Sequence, residues 1–173
     1  MRVESTAPPR FDLASVVLRP PRIGDMGWVL ERQSELFARE EGYGPAIEVI
    51  AAQVIARFLA DRDPEREFCW IAEQDGERLG SIFLMKDDDQ TGRLRLLHVE
   101  AAARGIGLGK RLVETCVTTA KAVGYERIRL WTQSDLPAAR GIYAASGFSI
   151  IETEEHARFG RPQVAETWEK ILR

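Results

Sequence analysis

The sequence predicts a mixed α/β fold, a central sheet of about six to seven strands flanked by about four helices, on three observations. Two apolar runs, 68–73 and 79–85, are joined by Gln74-Asp75-Gly76-Glu77, and Asp-Gly between such runs signals an antiparallel hairpin. Leu108, Leu112, Val113, Cys116, Val117, Ala120 and Val123 recur at helical spacing, which marks an amphipathic helix. That helix lies between two strand-like runs, 94–99 and 127–132, and a strand, helix and strand of this length imply a right-handed parallel crossover.

The remaining elements follow in chain order. Residues 1–14 are Pro-rich and without period, so a loose tail is expected. Val16 to Arg19 reads as a short strand stopped by Pro20-Pro21, because proline cannot donate to a ladder. A helix follows from Asp25, whose side chain can cap it, and ends at Gly42 and Gly44. A second helix spans about Ile47 to Leu59, with Ile47, Ile50, Ala51, Val54, Ile55 and Phe58 on one face. After the hairpin, Asp87-Asp88-Asp89 reads as a solvated turn, since the calcium-loop spacing with its distal Glu is absent. Beyond 132, Ser134 or Asp135 can cap a short helix with Pro137 in its first turn, ending at Gly147. Strands 148–153 and 164–172 close the sheet. If 164–172 lies at an edge, it can pair with a second copy and make a homodimer, although Glu166, Glu169 and Lys170 would blunt it.

Composition bounds the function. The 173 residues are 45% apolar and 29% charged, with 24 basic against 27 acidic side chains and a net charge of −3. This is an ordinary globular balance with no basic excess for nucleic acid. No apolar run reaches the roughly 20 residues of a membrane span, and the N-terminus lacks the apolar core of a signal peptide, so the expected address is the cytoplasm. Cys69 and Cys116 have no metal-ligand spacing with His98 or His156 and read as small core residues; no metal is called for.

Chemistry concentrates in Arg104-Gly105-Ile106-Gly107-Leu108-Gly109-Lys110, between a strand and a helix start. Glycines so spaced let backbone N–H groups approach an anion, and the helix N-terminus adds positive potential. The ligand should therefore carry a phosphate or pyrophosphate. A Walker loop would need Gly where Arg104 stands and Ser or Thr where Arg111 stands, and GxGxxG would need Gly at Lys110.

Two motifs extend this reading. Val99-x-x-x-x-Arg104-x-x-Gly107-x-Gly109 and, farther on, Ala139-x-x-x-Tyr143-x-x-x-Gly147-Phe148 are separated by a helix, a strand and the start of another helix. The pair resembles the acetyl-CoA motifs of the GCN5-related N-acetyltransferase (GNAT) family, over residues 15–173 as one domain. The segments His156-x-x-Phe159-Gly160 and Thr167-Trp168-Glu169 are similar to the acetyltransferase half of bacterial proteins fused to a MarR-type DNA-binding domain.

The resemblance implies a sheet splayed at the acetyl-CoA site, with no metal. Amides of Gly105, Ile106, Gly107, Leu108, Gly109 and Lys110 would hold the CoA pyrophosphate, and Arg104 would shape the loop or add charge. Main-chain groups of Leu97, His98 and Val99 would pair with the pantetheine arm as an added strand, with Ser134 and Ala139 as further contacts. Leu136 stands where the family often has Asn, for which Gln133, Ser134 or Asp135 could substitute, and Ala101 replaces a common proline. Tyr143 would be the general acid for the departing thiolate.

Direct transfer needs a neutral amine, and an alkylamine is mostly protonated at pH 7. Glu100 is the base candidate just after the strand; His98, Glu31, Glu35, Glu40 and Glu41 are others. Trp28, Tyr43 and Phe159 are candidate walls for the acceptor. An acidic helix exit suits a cationic amine, whereas Arg158 and Arg161 suit a carboxylate, so a small amine, an amino acid and a peptide amine all stay open. The expected partners are acetyl-CoA and that amine, with neither nucleic acid nor membrane. The alternative reading is a non-catalytic acyl-CoA-binding or sensing module.

Overall fold

The computed structural model describes residues 10–173. One seven-stranded sheet runs in the order β1-β2-β3-β4-β5-β7-β6, with strands β1 Val17–Arg19, β2 Phe68–Gln74, β3 Glu77–Lys86, β4 Thr91–Val99, β5 Arg127–Gln133, β6 Ser149–His156 and β7 Gln163–Ile171. Helices α1 Asp25–Glu41 and α2 Ala46–Asp61 cover one face, while α3 Leu108–Ala122 and α4 Pro137–Ala145 cover the other. Period-2 alternation assigns the faces: Ile82 and Leu84 join the α3/α4 core, whereas Phe83 and Met85 join the α1/α2 core. Because β3 is covered on both sides, Leu79 to Met85 is buried without interruption.

The hairpin forms as its turn residues require. Asp75 and Gly76 both take positive φ, 53° and 80°, the twist that matches right-handed strands. In the acidic turn, Asp87 pairs with Arg93, Asp89 with Lys86, and Asp88 accepts the Gln90 amide.

Four expectations need correction. The strand 164–172 is not an edge: β7 pairs with β5 along Arg127–Gln133 and with β6 on its other side. The edge is β6, whose Glu152, Glu154 and Glu155 discourage edge pairing, so the dimer argument from β7 falls. Asp25 does not cap α1; Gly24 stands at that cap in left-handed conformation. The buried Asp25 carboxylate instead receives Arg19, Arg78 and the Arg22 amide. Neither Ser134 nor Asp135 caps α4, which starts at Pro137 with Leu136 before it. Of the expected tail, residues 1–9 lie outside the described residues, but Phe11 is buried in the main core and Asp12 caps a single 3-10 turn, Leu13–Ser15.

Of the sheet's three register irregularities, the one that shapes the site falls at β4. Ser81 pairs with His98 and Phe83 with Arg95, so β4 holds one extra residue there, a bulge in which Leu96 takes a φ of 48°. On its other side β4 pairs in parallel with β5 only from Thr91–Arg127 to Arg93–Arg129, and then the strands part. Gly80 sits where β3 meets the far end of the bulge, and a Cβ there would lie 2.6 Å from the His98 carbonyl oxygen.

Backbone cannot yield as a side chain does, so Gly80→Ala should lower the unfolding free energy by about 1–3 kcal/mol. Gly141→Ala, in α4 with open space around it, should instead stabilise by about 0.5–1 kcal/mol. Urea unfolding of both variants checks this; equal midpoints would refute the close approach.

Candidate active site

The parting of β4 from β5 leaves the β5-facing main chain of Leu94 to Val99 without a strand partner. Beyond Val99 a 3-10 turn, Ala101–Ala103, leads through Arg104 to Gly107, the N-cap of α3 at φ 89°. That conformation is open to glycine and strained for other residues. No side chain caps α3, and the amides of Leu108, Gly109 and Lys110 lie in the first turn, where no intrahelical acceptor exists. Uncapped amides at a helix N-terminus beside an unpaired strand edge fit a diphosphate with an extended arm.

The other expected contacts are less uniform. Arg104 donates to Glu40 (2.9 Å) and to the Val99 carbonyl (3.3 Å), so its guanidinium ties the loop to α1. Ile106 packs against the core, Leu108 is buried, and Lys110 is exposed beside Glu114. The Ser134 amide is spent on the Val164 carbonyl (2.8 Å). Ala139 packs on α4 against the core, and a Cβ on Gly109 would meet Ile142 at 2.9 Å, so α3 and α4 touch there.

That contact holds Tyr143 near the loop. Its ring is 6% exposed between Phe148 and Trp168, and its hydroxyl makes no hydrogen bond among the described residues. Burial pushes its pKa up, so the phenol stays protonated at neutral pH. Burial likewise raises the thiols of Cys69 and Cys116, which suits core residues and not nucleophiles.

Glu100 and His98 form one cluster on the α1 side. Arg32 donates from Nε and Nη2 to the two Glu100 oxygens (2.7 and 3.0 Å). His98 Nε2 stands 3.6 Å from Glu100 Oε1, an electrostatic contact beyond hydrogen-bond length. The His98 imidazole and the Arg32 guanidinium together hold the Glu100 carboxyl down at about 2, leaving a weak base. His98 itself is buried, its Nδ1 2.9 Å from the Ser81 hydroxyl and its ring against Trp28. Burial lowers its pKa, which keeps it neutral.

Of the expected walls, Trp28 covers His98, while Tyr43 and Phe159 stack at 4.5 Å and are buried. The Gly44 amide donates to the Phe159 carbonyl, and Phe159 meets Trp131 of β5, so the α1–α2 and β6–β7 loops close together over the end of β5. The charges here cancel: Arg161 pairs with Asp135 (2.6 Å) and Arg158 with Glu154. Glu31, Glu35 and Glu40 are exposed, and burial together with Asp135 and Glu40 raises the Glu41 carboxyl. Sequence reasoning missed Arg32 and Gln33. The signal for Gln33 was available, as a polar residue inside the buried stripe Met26, Val29, Gln33, Leu36.

Comparison with known proteins agrees with this geometry. The sequence profile of the acetyltransferase (GNAT) family matches residues 30–148. The mycothiol acetyltransferase of Beutenbergia cavernae is 33% identical over 95 residues, 54% of this chain and 31% of that protein. Human N-acetyltransferase 8B is 34% identical over 84 residues, 46% of this chain and 37% of that one. The chain thus spans about a third of the length of these relatives. An acetyltransferase of Streptococcus agalactiae shares the fold at TM-score 0.71 and 20% identity, covering 91% of this chain and 99% of that one. A Salmonella typhimurium protein whose structure carries acetyl-CoA as cofactor does so at 0.70 and 17%, covering 92% and 95%.

The depressed Glu100 pKa makes a pH prediction. A carboxyl whose folded pKa lies below its ordinary 4.5 stabilises fully above that value and loses the contribution as pH falls toward 2. Arg32→Met should raise the Glu100 pKa and flatten the acid limb of stability below pH 4.5. Carbon-13 titration of the Glu100 carboxyl reads this directly; a wild-type midpoint near 4.5 would refute it.

Proposed function

Because the chain belongs to the acetyltransferase (GNAT) family, we propose that it transfers the acetyl group of acetyl-CoA directly to an amine, with Tyr143 as general acid. The observation that carries this reading is the parting of β4 from β5 beside a glycine-capped helix N-terminus, with a buried phenol on the neighbouring helix. Acetyl-CoA, when bound, supplies an acetyl thioester with a thiolate leaving group. The first amides of α3, with Gly105 and Ile106 ahead of them, hold the pyrophosphate. Main chain of Leu97, His98 and Val99 receives the pantetheine arm as an added strand, and Ser134 and Ala139 line the β5 and α4 side. Arg104 sets the loop's shape through Val99 and Glu40.

Tyr143 Oη keeps its proton at neutral pH and offers it to the departing sulfur, which is what an acid with a raised pKa can do. Glu100, clamped by Arg32, stays ionised and does not itself take the acceptor's proton, while the Ser81 hydroxyl at Nδ1 orients His98. His98 is neutral with Nε2 free, so it serves as base, directly or through a water. No thiol carries the acetyl group, since both cysteines are buried in the core. Residues 15–173 act as one acetyltransferase unit in the cytoplasm; among the described residues no helix is long and apolar enough to cross a membrane. The finer likeness to MarR-fused acetyltransferases rests on His156-x-x-Phe159-Gly160 in the β6–β7 loop and on Thr167-Trp168-Glu169 in β7.

Tyr143→Phe should lower kcat by about 10²–10⁴-fold and leave the Kd for CoA unchanged by calorimetry. Free-thiol release with an amine panel measures the first; full turnover by the variant would remove Tyr143 from the chemistry.

A further inference from the structure

Among the buried polar atoms without a hydrogen-bond partner in the described residues are Gln33 Oε1 on α1, His98 Nε2 on β4 and Gln133 Nε2 on β5. Their residues are 4%, 7% and 2% exposed. An unpaired buried polar atom is destabilising, and native structures keep few of them. Here three come from three different elements, α1, β4 and β5.

Topology brings the two strand residues to one place, on the face that α1 covers. Counting along both strands from Arg93–Arg129, with one residue allowed for the bulge at Leu96, sets Gln133 across the gap from His98. The bulge turns His98 to the α1 face, where its ring meets Trp28. Gln133 lies two residues beyond Trp131 and so on the same face of β5, the face on which Trp131 meets Phe159. Gln33 follows Arg32, the residue that holds Glu100 beside His98. An imidazole and an amide therefore flank the gap, and a second amide lies on the helix that covers it.

Their chemistry narrows the ligand. Gln133 Oε1 already accepts from His156 Nε2 (2.7 Å), so the free end of Gln133 is its NH2, a donor seeking an oxygen. Gln33 presents a carbonyl oxygen, an acceptor seeking an N–H. Most nearby charges are mutually cancelled, Glu100 by Arg32, Asp135 by Arg161, Glu40 by Arg104 and Arg158 by Glu154, while burial and the neighbouring Asp135 and Glu40 raise the carboxyl of Glu41. A polycation would find a single unpaired carboxylate among these described groups, Glu41, whose charged form burial disfavours.

We propose that Gln33, His98 and Gln133 form the acceptor subsite, and that it takes a primary amine with a carbonyl or carboxylate oxygen on the adjacent carbon, an α-aminoacyl group. This rests on the transferase reading above. Gln33 receives the amine N–H, Gln133 donates to the neighbouring oxygen, and His98 Nε2 faces the nitrogen that attacks.

The test compares thiol release with L-phenylalanine, L-phenylalaninamide and Phe-Gly against phenethylamine, which lacks the oxygen, and spermidine. The best aminoacyl acceptor should exceed phenethylamine at least about tenfold in kcat/KM, the worth of one well-made hydrogen bond. Its form, acid, amide or dipeptide, tells a free amino acid from a peptide N-terminus. Gln33→Met and Gln133→Met should each pull that ratio toward one while the Kd for CoA stays the same. In the CoA-bound wild type, the side-chain amide ¹⁵N signals of Gln33 and Gln133 should shift when the preferred acceptor is added. A ratio near one, a preference for spermidine, or unmoved amide signals overturns the subsite. Shifted signals without thiol release from any amine would leave the subsite standing and overturn the transferase reading instead.

Discussion

Everything in the site hangs on β4 leaving β5 after three paired residues. A parallel pair inside a covered sheet would ordinarily continue, because each buried N–H and C=O needs a partner. Here β5 stays in the sheet by pairing with β7 along seven residues, Arg127 to Gln133, while β4 is turned away by its bulge. The bulge puts a non-glycine residue at positive φ, a conformation that costs about 1–2 kcal/mol. Two features offset that cost: the Leu96 side chain packs against the α1/α2 core, and the Ser81 hydroxyl donates to the Leu96 carbonyl at 3.1 Å. The same hydroxyl lies against His98 Nδ1, so the device that opens the sheet also fixes the imidazole at its mouth.

Ion pairs around the opening act through position more than through stability. Half-exposed pairs contribute about 0–1 kcal/mol each, and those at the mouth are mostly of this kind. Each one, however, joins segments far apart in the chain: Arg32 to Glu100, Arg104 to Glu40, Arg161 to Asp135 and Arg140 to Glu166. With their charges cancelled, the field left at the mouth is that of the α3 N-terminus, of the Glu41 carboxyl and of oriented neutral dipoles. A site of this kind concentrates positive potential for a diphosphate at one end and selects its second ligand by hydrogen bonds at the other.

How much of this was legible follows from how local each signal is. The Asp75-Gly76 turn, the α3 stripe and the Tyr143 motif each write their structure within a few residues, and the fold places them as the sequence implies. The order of β6 and β7 is a long-range choice, and a strand of mixed polarity such as 163–171 gives no local sign that it lies between two neighbours. The contrast was present in β6, where Ile150 and Ile151 are its large apolar residues and both remain exposed. Phe11 was read as tail because irregular backbone carries no period, although it fills a place in the core. Glu100 sits where a base was expected, but its proton affinity depends on Arg32, 68 positions away, and no spacing rule reveals that partner.

Helix α1 connects the two halves of the chemistry. Arg32 and Glu40 lie about 12 Å apart along it and grip Glu100 and Arg104, the residues on either side of the turn Ala101–Ala103. That turn is the sole covalent path from the open edge of β4 to the glycine loop, so its two ends set where an arm along β4 lies relative to an anion at α3. Because the same helix carries Trp28 over His98 and Gln33 on its buried stripe, a shift of α1 displaces acceptor groups and the loop together. Reaction of an amine with a thioester demands that nitrogen and carbon meet within about 3–3.5 Å. Tying both ligands' supports to one helix through two ion pairs keeps that distance a property of a single rigid element instead of the sum of two independent loops.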